Sequence, residues 1–261
     1  MTPTQDDQVN DVIETLRTGM HDVLGDKLLG LYLFGSLVIG DFDPATSDID
    51  LLAILDDDVD DREFGALREL HDEFARNHPT WDDRIEVRYA SVAALRDVTT
   101  RARRVVVISP GEPFHHTETR KDWVINLYTV QERGVTVDGR PPRDVVPPIS
   151  REDFAEAIEE HARLWRTWVD EVQSQKDQAY AILTLCRTLY AHTNGDPTTK
   201  LGAAEWTQGV LPEWAPLIRR AVEWRRFPWL ERDGPSATLA ETRRFVETVL
   251  ALVLGPVEST N

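Results

Sequence analysis

Two proline pairs, Pro141-Pro142 and Pro147-Pro148, divide a sequence whose hydrophobic pattern changes across them. Ahead of them, helical and strand-like segments alternate. Val9, Val12, Ile13, Leu16, Met20, Val23 and Leu24 recur at helical spacing and predict an amphipathic helix over 7–24. Leu31-Tyr32-Leu33-Phe34 is a short apolar strand stopped by Gly35-Ser36, and Ile49 to Leu55 is a second strand with Asp48 and Asp50 at its head. The acidic run from Asp56 to Asp61 caps a helix over 62–77, and Arg84 to Tyr89 alternates polar and apolar residues as a third strand. A short helix begun by Ser91, a strand over 105–108, a polar loop holding His115-His116 and a helix over 123–132 follow. Beyond Ser150 the spacing is helical throughout: Phe154, Ile158, Ala162, Trp165 and Val169 form one stripe, and further helices are expected over 177–192, 199–207, 213–224 and 237–253. Trp165, Trp168, Trp206, Trp214, Trp224 and Trp229 fall in this part and read mostly as packing residues between helices. The pattern predicts an α/β domain over 1–149 and an all-α helical bundle over 150–261.

The bulk properties narrow the classes of function. A hydrophobic fraction of 41% and eight tryptophans supply real cores. No run of about 18 uncharged apolar residues suggests a membrane span, and the polar, acidic stretch Met1 to Asn10 lacks the pattern of a secretory signal. With one cysteine, Cys186, on an apolar helix face, a cytoplasmic protein with a buried structural thiol is expected. The formal net charge of −17 works against nucleic acid as a partner, because the richest basic stretch, Arg101-Ala102-Arg103-Arg104, is short and runs into apolar residues. A small cationic substrate would be attracted, although surface acidity serves solubility as often as steering.

The chemistry concentrates between Leu31 and Tyr89. A strand ending in Gly35-Ser36 and feeding a short helix offers backbone N–H groups and a hydroxyl to a phosphate oxygen. Asp48 and Asp50, at i and i+2, share one face of an extended segment, a spacing suited to holding Mg²⁺ jointly with substrate phosphates. Glu86 sits on a strand whose apolar neighbours Ile85 and Val87 occupy the other face, so it converges on the pair if the strands are adjacent. Taken singly, Gly-Ser is a common turn, Asp48 a cap after Ser47, and Glu86 an exposed strand residue. Asp50 is the exception, since a carboxylate inside an apolar strand is costly without a partner. His115-His116 has no second Cys or His cluster at ligand spacing and is read as loop rather than metal site.

The Gly-Ser turn, the Asp-x-Asp pair and the later strand acid together resemble the nucleotidyltransferase superfamily that includes DNA polymerase β and the small antibiotic-modifying adenylyltransferases, over about residues 30–90. In the second half, Ile182 to Tyr190, Asn194-Gly195, Thr199-Lys200, Ala203 to Trp206 and Leu211-Pro212 resemble the C-terminal helical domain of the aminoglycoside 3''-adenylyltransferases, which act on streptomycin and spectinomycin. The resemblance implies a mixed-sheet nucleotidyltransferase domain followed by a helical domain, with the site between them. It also implies ATP as donor, Mg²⁺ on Asp48, Asp50 and Glu86, and Glu86 as general base. Gly35, Ser36, Ser47, Arg187 and Lys200 would hold the nucleotide, and Asp177, the best match to the acid on the loop before the helix, would meet a cationic group of a hydroxylated acceptor, with Asp170 and Glu171 as nearby alternatives. Local chemistry agrees for two of these: Arg187 has Leu183 and Tyr190 at helical spacing, and Lys200 occupies a helix first turn, the wrong end for an uncompensated cation. An interdomain ion pair for Arg187 and a solvated Lys200 are the plain alternatives.

Between about 99 and 123 the sequence departs from the family, where the relatives carry an aromatic residue that packs on the drug; Trp123 is the nearest tryptophan. The implied reaction is AMP transfer from ATP to an acceptor hydroxyl by a monomeric enzyme. Two alternatives stay open: the same transfer to another small molecule or a protein side chain, and a nucleotide-binding module without catalysis, which would have no need of a general base.

Overall fold

The computed structural model describes residues 4, 6–227 and 236–255. The chain divides into two compact units, Met1–Ser150 and Arg151–Asn261.

In the first unit, α1 (Asp7–Leu24) leads through a single 3₁₀ turn into β1 (Leu28–Phe34), α2 (Ser36–Ile39) and β2 (Ile49–Leu55). Next come α3 (Asp61–Asn77), β3 (Ile85–Ser91), α4 (Val92–Arg96), β4 (Arg104–Ser109), β5 (Glu112–Glu118), α5 (Trp123–Arg133), β6 (Val135–Gly139) and α6 (Pro142–Val145). Among the described residues the six strands form one mixed sheet of order β5-β4-β3-β2-β1-β6. Only β2 and β3 run parallel, because α3 carries the chain back across the sheet between them. That helix starts where the acidic run predicts: Asp60 accepts from the Glu63 N–H at 2.8 Å and Glu63 returns the bond to Asp60 at 2.9 Å, closing a capping box.

One sheet face is apolar. Leu31 and Leu33 of β1, Ile49, Leu51, Ala53 and Leu55 of β2, and Ile85, Val87 and Tyr89 of β3 form a core with Val9, Ile13, Leu16 and Met20 of α1 and Leu67 and Phe74 of α3. The period of two along each strand sends the intervening residues, Asp50, Glu86 and Arg88 among them, to the other face. α5 packs over β1 there.

The segment expected to be a polar loop around His115-His116 is instead β5, paired antiparallel with β4 from Arg104↔Glu118 to Ser109↔Glu112. Pro113 is tolerated because β5 is an edge strand with one unpaired side. Phe114 turns inward, and His116, two residues on, stacks on Phe64 with centroids 4.2 Å apart. β6, the opposite edge, also has no counterpart among the predicted elements.

The second unit consists of α7 (Arg151–Trp168), α8 (Gln175–Asn194), α9 (Lys200–Val210), α10 (Ala215–Arg226) and α11 (Ser236–Leu254). Four of its tryptophans pack as expected: Trp165 meets Trp168 edge-on at 5.6 Å, Trp206 meets Tyr190 at 5.4 Å, and Trp214 meets Phe245 at 5.5 Å. Trp224 also packs on this core, while Trp229 lies outside the described residues. No helix among the described residues is long and apolar enough to cross a membrane.

On the inner face of α3, the buried His71 places Nε2 2.7 Å from the Tyr89 hydroxyl. Burial pushes the imidazole down to about 4. The unfolded chain, with His near 6.5, therefore takes up this proton first as pH falls. Stability from this site is intact above about pH 6.5 and is lost progressively down to about pH 4, by about 3 kcal/mol in total. Urea midpoints measured across that window should fall in the wild type and fall less in His71→Gln, which has no proton to take up.

Candidate active site

The site is built around the end of β1. Phe34, its last residue, is the register partner of Asp50 on β2, so the next residue, Gly35, turns directly beside the Asp50 side chain. Gly35 adopts φ 67° and ψ −148°. A Cβ there would lie 1.9 Å from Asp50 Oδ2 and 2.7 Å from its Cγ, so the position requires glycine for its backbone angle and for the close approach. Ser36 then opens α2, and among the described residues nothing in the fold engages its hydroxyl.

The loop from Asp41 to Asp48 is fastened from two sides. The Asp43 N–H donates to Ser47 Oγ at 2.9 Å, and the Ser47 N–H donates to the Asp43 carbonyl at 2.8 Å. Arg84, just ahead of β3 and stacked 4.4 Å over Trp81, donates to the Ser47 carbonyl through Nε at 3.1 Å and Nη2 at 2.6 Å. The Ile49 N–H donates to the Arg84 carbonyl at 2.9 Å, which fixes the backbone between the two aspartates. Asp48 precedes β2 by one residue and keeps the i, i+2 relation to Asp50. Ser47 is buried, and its hydroxyl closes the loop while retaining one donor.

β2 and β3 pair in parallel from Ile49↔Ile85 to Leu55↔Ser91, and Asp50 stands opposite Glu86. The two acids therefore share the polar sheet face on adjacent strands. Glu86 Oε1 accepts from Arg88 Nε at 2.9 Å and lies 2.8 Å from Arg88 Nη2. Among the described residues no three His, Cys, Asp or Glu side chains gather as a metal cage. The donor set that remains, two carboxylates at i and i+2 against a glycine turn, suits Mg²⁺ held partly by protein and completed by substrate phosphate oxygens.

In the second unit, α8 and α9 pack on each other and carry the expected cations. Arg187 lies on α8 beside the buried Leu183. Lys200 is the first residue of α9, after the Thr199 hydroxyl that caps Gly202 N–H at 2.7 Å, and its Nζ lies 5.8 Å from the Tyr180 ring centroid. Asp177 is not on a loop. It is the third residue of α8, where it forms a capping box with Ser174: its Oδ2 accepts from the Ser174 N–H at 2.8 Å and the Gln173 N–H at 3.2 Å. Burial raises its pKa, but the bonds from Ser174 and Gln173 outweigh burial and hold it below the usual carboxylate value. Asp170 and Glu171 do lie in the connection before α8, exposed. Cys186 is fully buried, and burial pushes its thiol up to about 12.

Three residues absent from the expected set meet beside Glu86: Arg88, which contacts it, and Trp123 and Asn126, which contact Arg88. Arg88, two positions along β3, lies 4.8 Å over the Trp123 ring, and the Asn126 amide oxygen, oriented to satisfy both ends of the amide, accepts from Arg88 Nη1 at 2.7 Å and Nη2 at 3.1 Å. Trp123 is thus buried under Arg88 rather than presented as an open platform. The polar-apolar alternation of β3 is the signal that places Arg88 beside Glu86; nothing in the sequence pairs it with α5.

Comparison with known proteins agrees with this architecture. Residues 20–164 match the model of the nucleotidyltransferase domain, and residues 144–251 match that of the aminoglycoside adenylyltransferase C-terminal domain. An aminoglycoside (3'') (9) adenylyltransferase from Escherichia coli is 27% identical over 259 residues, covering 91% of this chain and 95% of the relative. Its Klebsiella pneumoniae counterpart is 27% identical over 231 residues, covering 80% and 85%. Among solved structures, the spectinomycin adenyltransferase AAD(9) from Enterococcus faecialis, crystallised with ATP and spectinomycin, shares the fold at a TM-score of 0.70 and 19% identity, over 91% of this chain and 98% of that one. The glycine turn, the paired aspartates and the strand acid thus belong to a domain of known type: this chain is a member of the nucleotidyltransferase domain family, an enzyme of nucleotidyl transfer that carries an aminoglycoside adenylyltransferase C-terminal domain.

Proposed function

We propose that this enzyme transfers AMP from ATP to a hydroxyl of an aminocyclitol or aminoglycoside of the spectinomycin or streptomycin type, releasing pyrophosphate. The observation that carries the reading is the registered pair Asp50 and Glu86, with Asp50 pressed against the Gly35 turn. It supplies a phosphate-side acid and an acceptor-side acid on neighbouring strands. The relatives named for aminoglycoside 3''- and 9-adenylylation, and the fold shared with an enzyme crystallised with ATP and spectinomycin, support the same donor and acceptor class.

In this reading Asp48 and Asp50 hold Mg²⁺, which when bound neutralises charge developing on the phosphates. Ser36 and Ser47, through their hydroxyl donors, and Gly35, through its backbone, orient the triphosphate, while Arg187 and Lys200 supply positive charge to its oxygens. Glu86 takes the proton of the attacking hydroxyl as that oxygen bonds to the α-phosphorus and the bond to pyrophosphate breaks. Glu86 would reach Mg²⁺ only secondarily, since Arg88 already claims Oε1. Asp177 offers the acceptor its second oxygen, Oδ1, and the exposed Asp170 and Glu171 add negative charge nearby in sequence. A monomer in the cytoplasm, acting on a small cationic acceptor rather than nucleic acid, completes the proposal and agrees with the net charge of −17.

Incubation with α-labelled ATP, Mg²⁺ and a panel of aminocyclitols tests the acceptor. Labelled spectinomycin or streptomycin is expected; label on neither would reject this acceptor class. Glu86→Gln should bind ATP within about twofold of wild type and lose transfer by roughly 10²–10⁴-fold, and wild-type turnover in this variant would remove the base assignment. Gly35→Ala should displace Asp50 and cost about 1–3 kcal/mol of stability for its left-handed backbone, with transfer reduced at least about 100-fold; an unchanged melting temperature and rate would count against the tight turn.

A further inference from the structure

Glu86 needs more than its place on β3 to act as a base, because a glutamate side chain has three rotatable bonds and occupies many rotamers in solution. Among the described residues its carboxylate makes one set of contacts, to Arg88, and both fall on the same oxygen: Nε at 2.9 Å and Nη2 at 2.8 Å, each to Oε1. Oε2 accepts no hydrogen bond from the described residues. The two side chains are largely shielded, at 17% and 19% exposure, so solvent competes weakly for the contact.

Arg88 is itself held on two further sides. Its guanidinium carbon lies 4.8 Å from the Trp123 ring centroid, and Asn126, with its amide turned so that the oxygen faces the guanidinium, accepts from Nη1 at 2.7 Å and from Nη2 at 3.1 Å. Trp123 and Asn126 are three residues apart on α5, so they fall on one face of that helix, toward the polar side of the sheet. The result is a continuous chain of contacts from α5 through a planar cation to one oxygen of the acid. Arginine suits this task because its rigid fork can meet a carboxylate, an amide oxygen and an aromatic face at once, which a lysine ammonium cannot do with the same geometry.

We infer that Arg88 is a positioning residue for the transfer reaction: clamped by Trp123 and Asn126, it pins Oε1 of Glu86 so that Oε2 is the atom presented to the acceptor hydroxyl. During transfer, Oε2 takes the hydroxyl proton while the acceptor oxygen bonds to the α-phosphorus and the leaving pyrophosphate keeps the electron pair of the broken bond. Arg88 loses and gains nothing in the step. The inference rests on the assignment of Glu86 as base, and it adds which oxygen acts and what holds it.

The test compares wild type, Arg88→Met, Arg88→Lys, Asn126→Ala, Glu86→Gln and the double variant Glu86→Gln/Arg88→Met. Each is assayed for AMP transfer to spectinomycin and streptomycin, for ATP affinity by calorimetry, and for thermal unfolding. Arg88→Met is expected to lower kcat about 100-fold with KM for ATP within about twofold of wild type, the signature of a misplaced group rather than lost binding. Arg88→Lys should recover part of that loss, and Asn126→Ala should show a smaller drop of the same kind with less disturbance of folding. Because Arg88 acts through Glu86, the double variant should be no slower than Glu86→Gln alone. A rise in KM for ATP at unchanged kcat would overturn the inference by making Arg88 a phosphate ligand, as would a double variant much slower than Glu86→Gln. An inactive Glu86→Gln beside a fully active Arg88→Met would remove Arg88 alone, whereas a fully active Glu86→Gln would remove the base assignment beneath it.

Discussion

The parallel pairing of Ile49–Leu55 with Ile85–Ser91 is the constraint on which the first unit depends, because it joins a packing decision to a chemical one. The apolar residues of both strands, at alternate positions, meet α1 and α3 in a single core. A slip of one residue would drive Glu86 into that core and expose Ile85 and Val87, a cost of burying charge that the fold cannot meet. The hydrophobic face thereby sets the register, and the register sets Asp50 opposite Glu86 without any direct bond between them. Gly35 depends on the same alignment, since its missing Cβ is occupied by the Asp50 carboxylate only while Phe34 and Asp50 stay paired.

What the sequence made legible follows from how each signal arises. The helix 7–24 carries a strong apolar period, the helix 62–77 an acidic capping run, and the strand 49–55 an almost continuous apolar run, and the structure forms all three within one residue of those limits. β5 carries no strand signal, because Glu112, Pro113 and two histidines make a poor strand by composition; an edge position, paired on one side and left open on the other, tolerates them. Asp50 is legible because a carboxylate inside an apolar strand is costly without a partner, and Asp48 and Glu86 gain meaning only in combination with it and the Gly35-Ser36 turn. Arg88 is not legible, because its meaning comes from Trp123 and Asn126 on a helix far along the chain, and such long-range contacts leave no local pattern. For Asp177 the local signal existed: Ser174 three residues before it is a capping box, so the helix starts earlier than the apolar stripe suggests.

Glu86 and Asp177 share a design. Each has one oxygen fastened by the protein, to Arg88 in one case and to the N–H groups of Gln173 and Ser174 in the other. A carboxylate held in this way keeps its orientation yet retains an acceptor. That arrangement leaves a second acceptor oxygen on a side chain whose first is already committed, to an arginine in one case and to a helix start in the other.

Cys186 has a practical consequence outside the reaction. The thiolate is the species that attacks thiol reagents, and burial, which pushes the Cys186 thiol up to about 12, leaves very little of it ionised at pH 7. The side chain is also enclosed by the helical core, with no exposed surface. A cysteine introduced at any exposed position would therefore be the one that a maleimide dye or spin label finds. Distances across this protein become measurable by site-directed labelling with the native cysteine left in place.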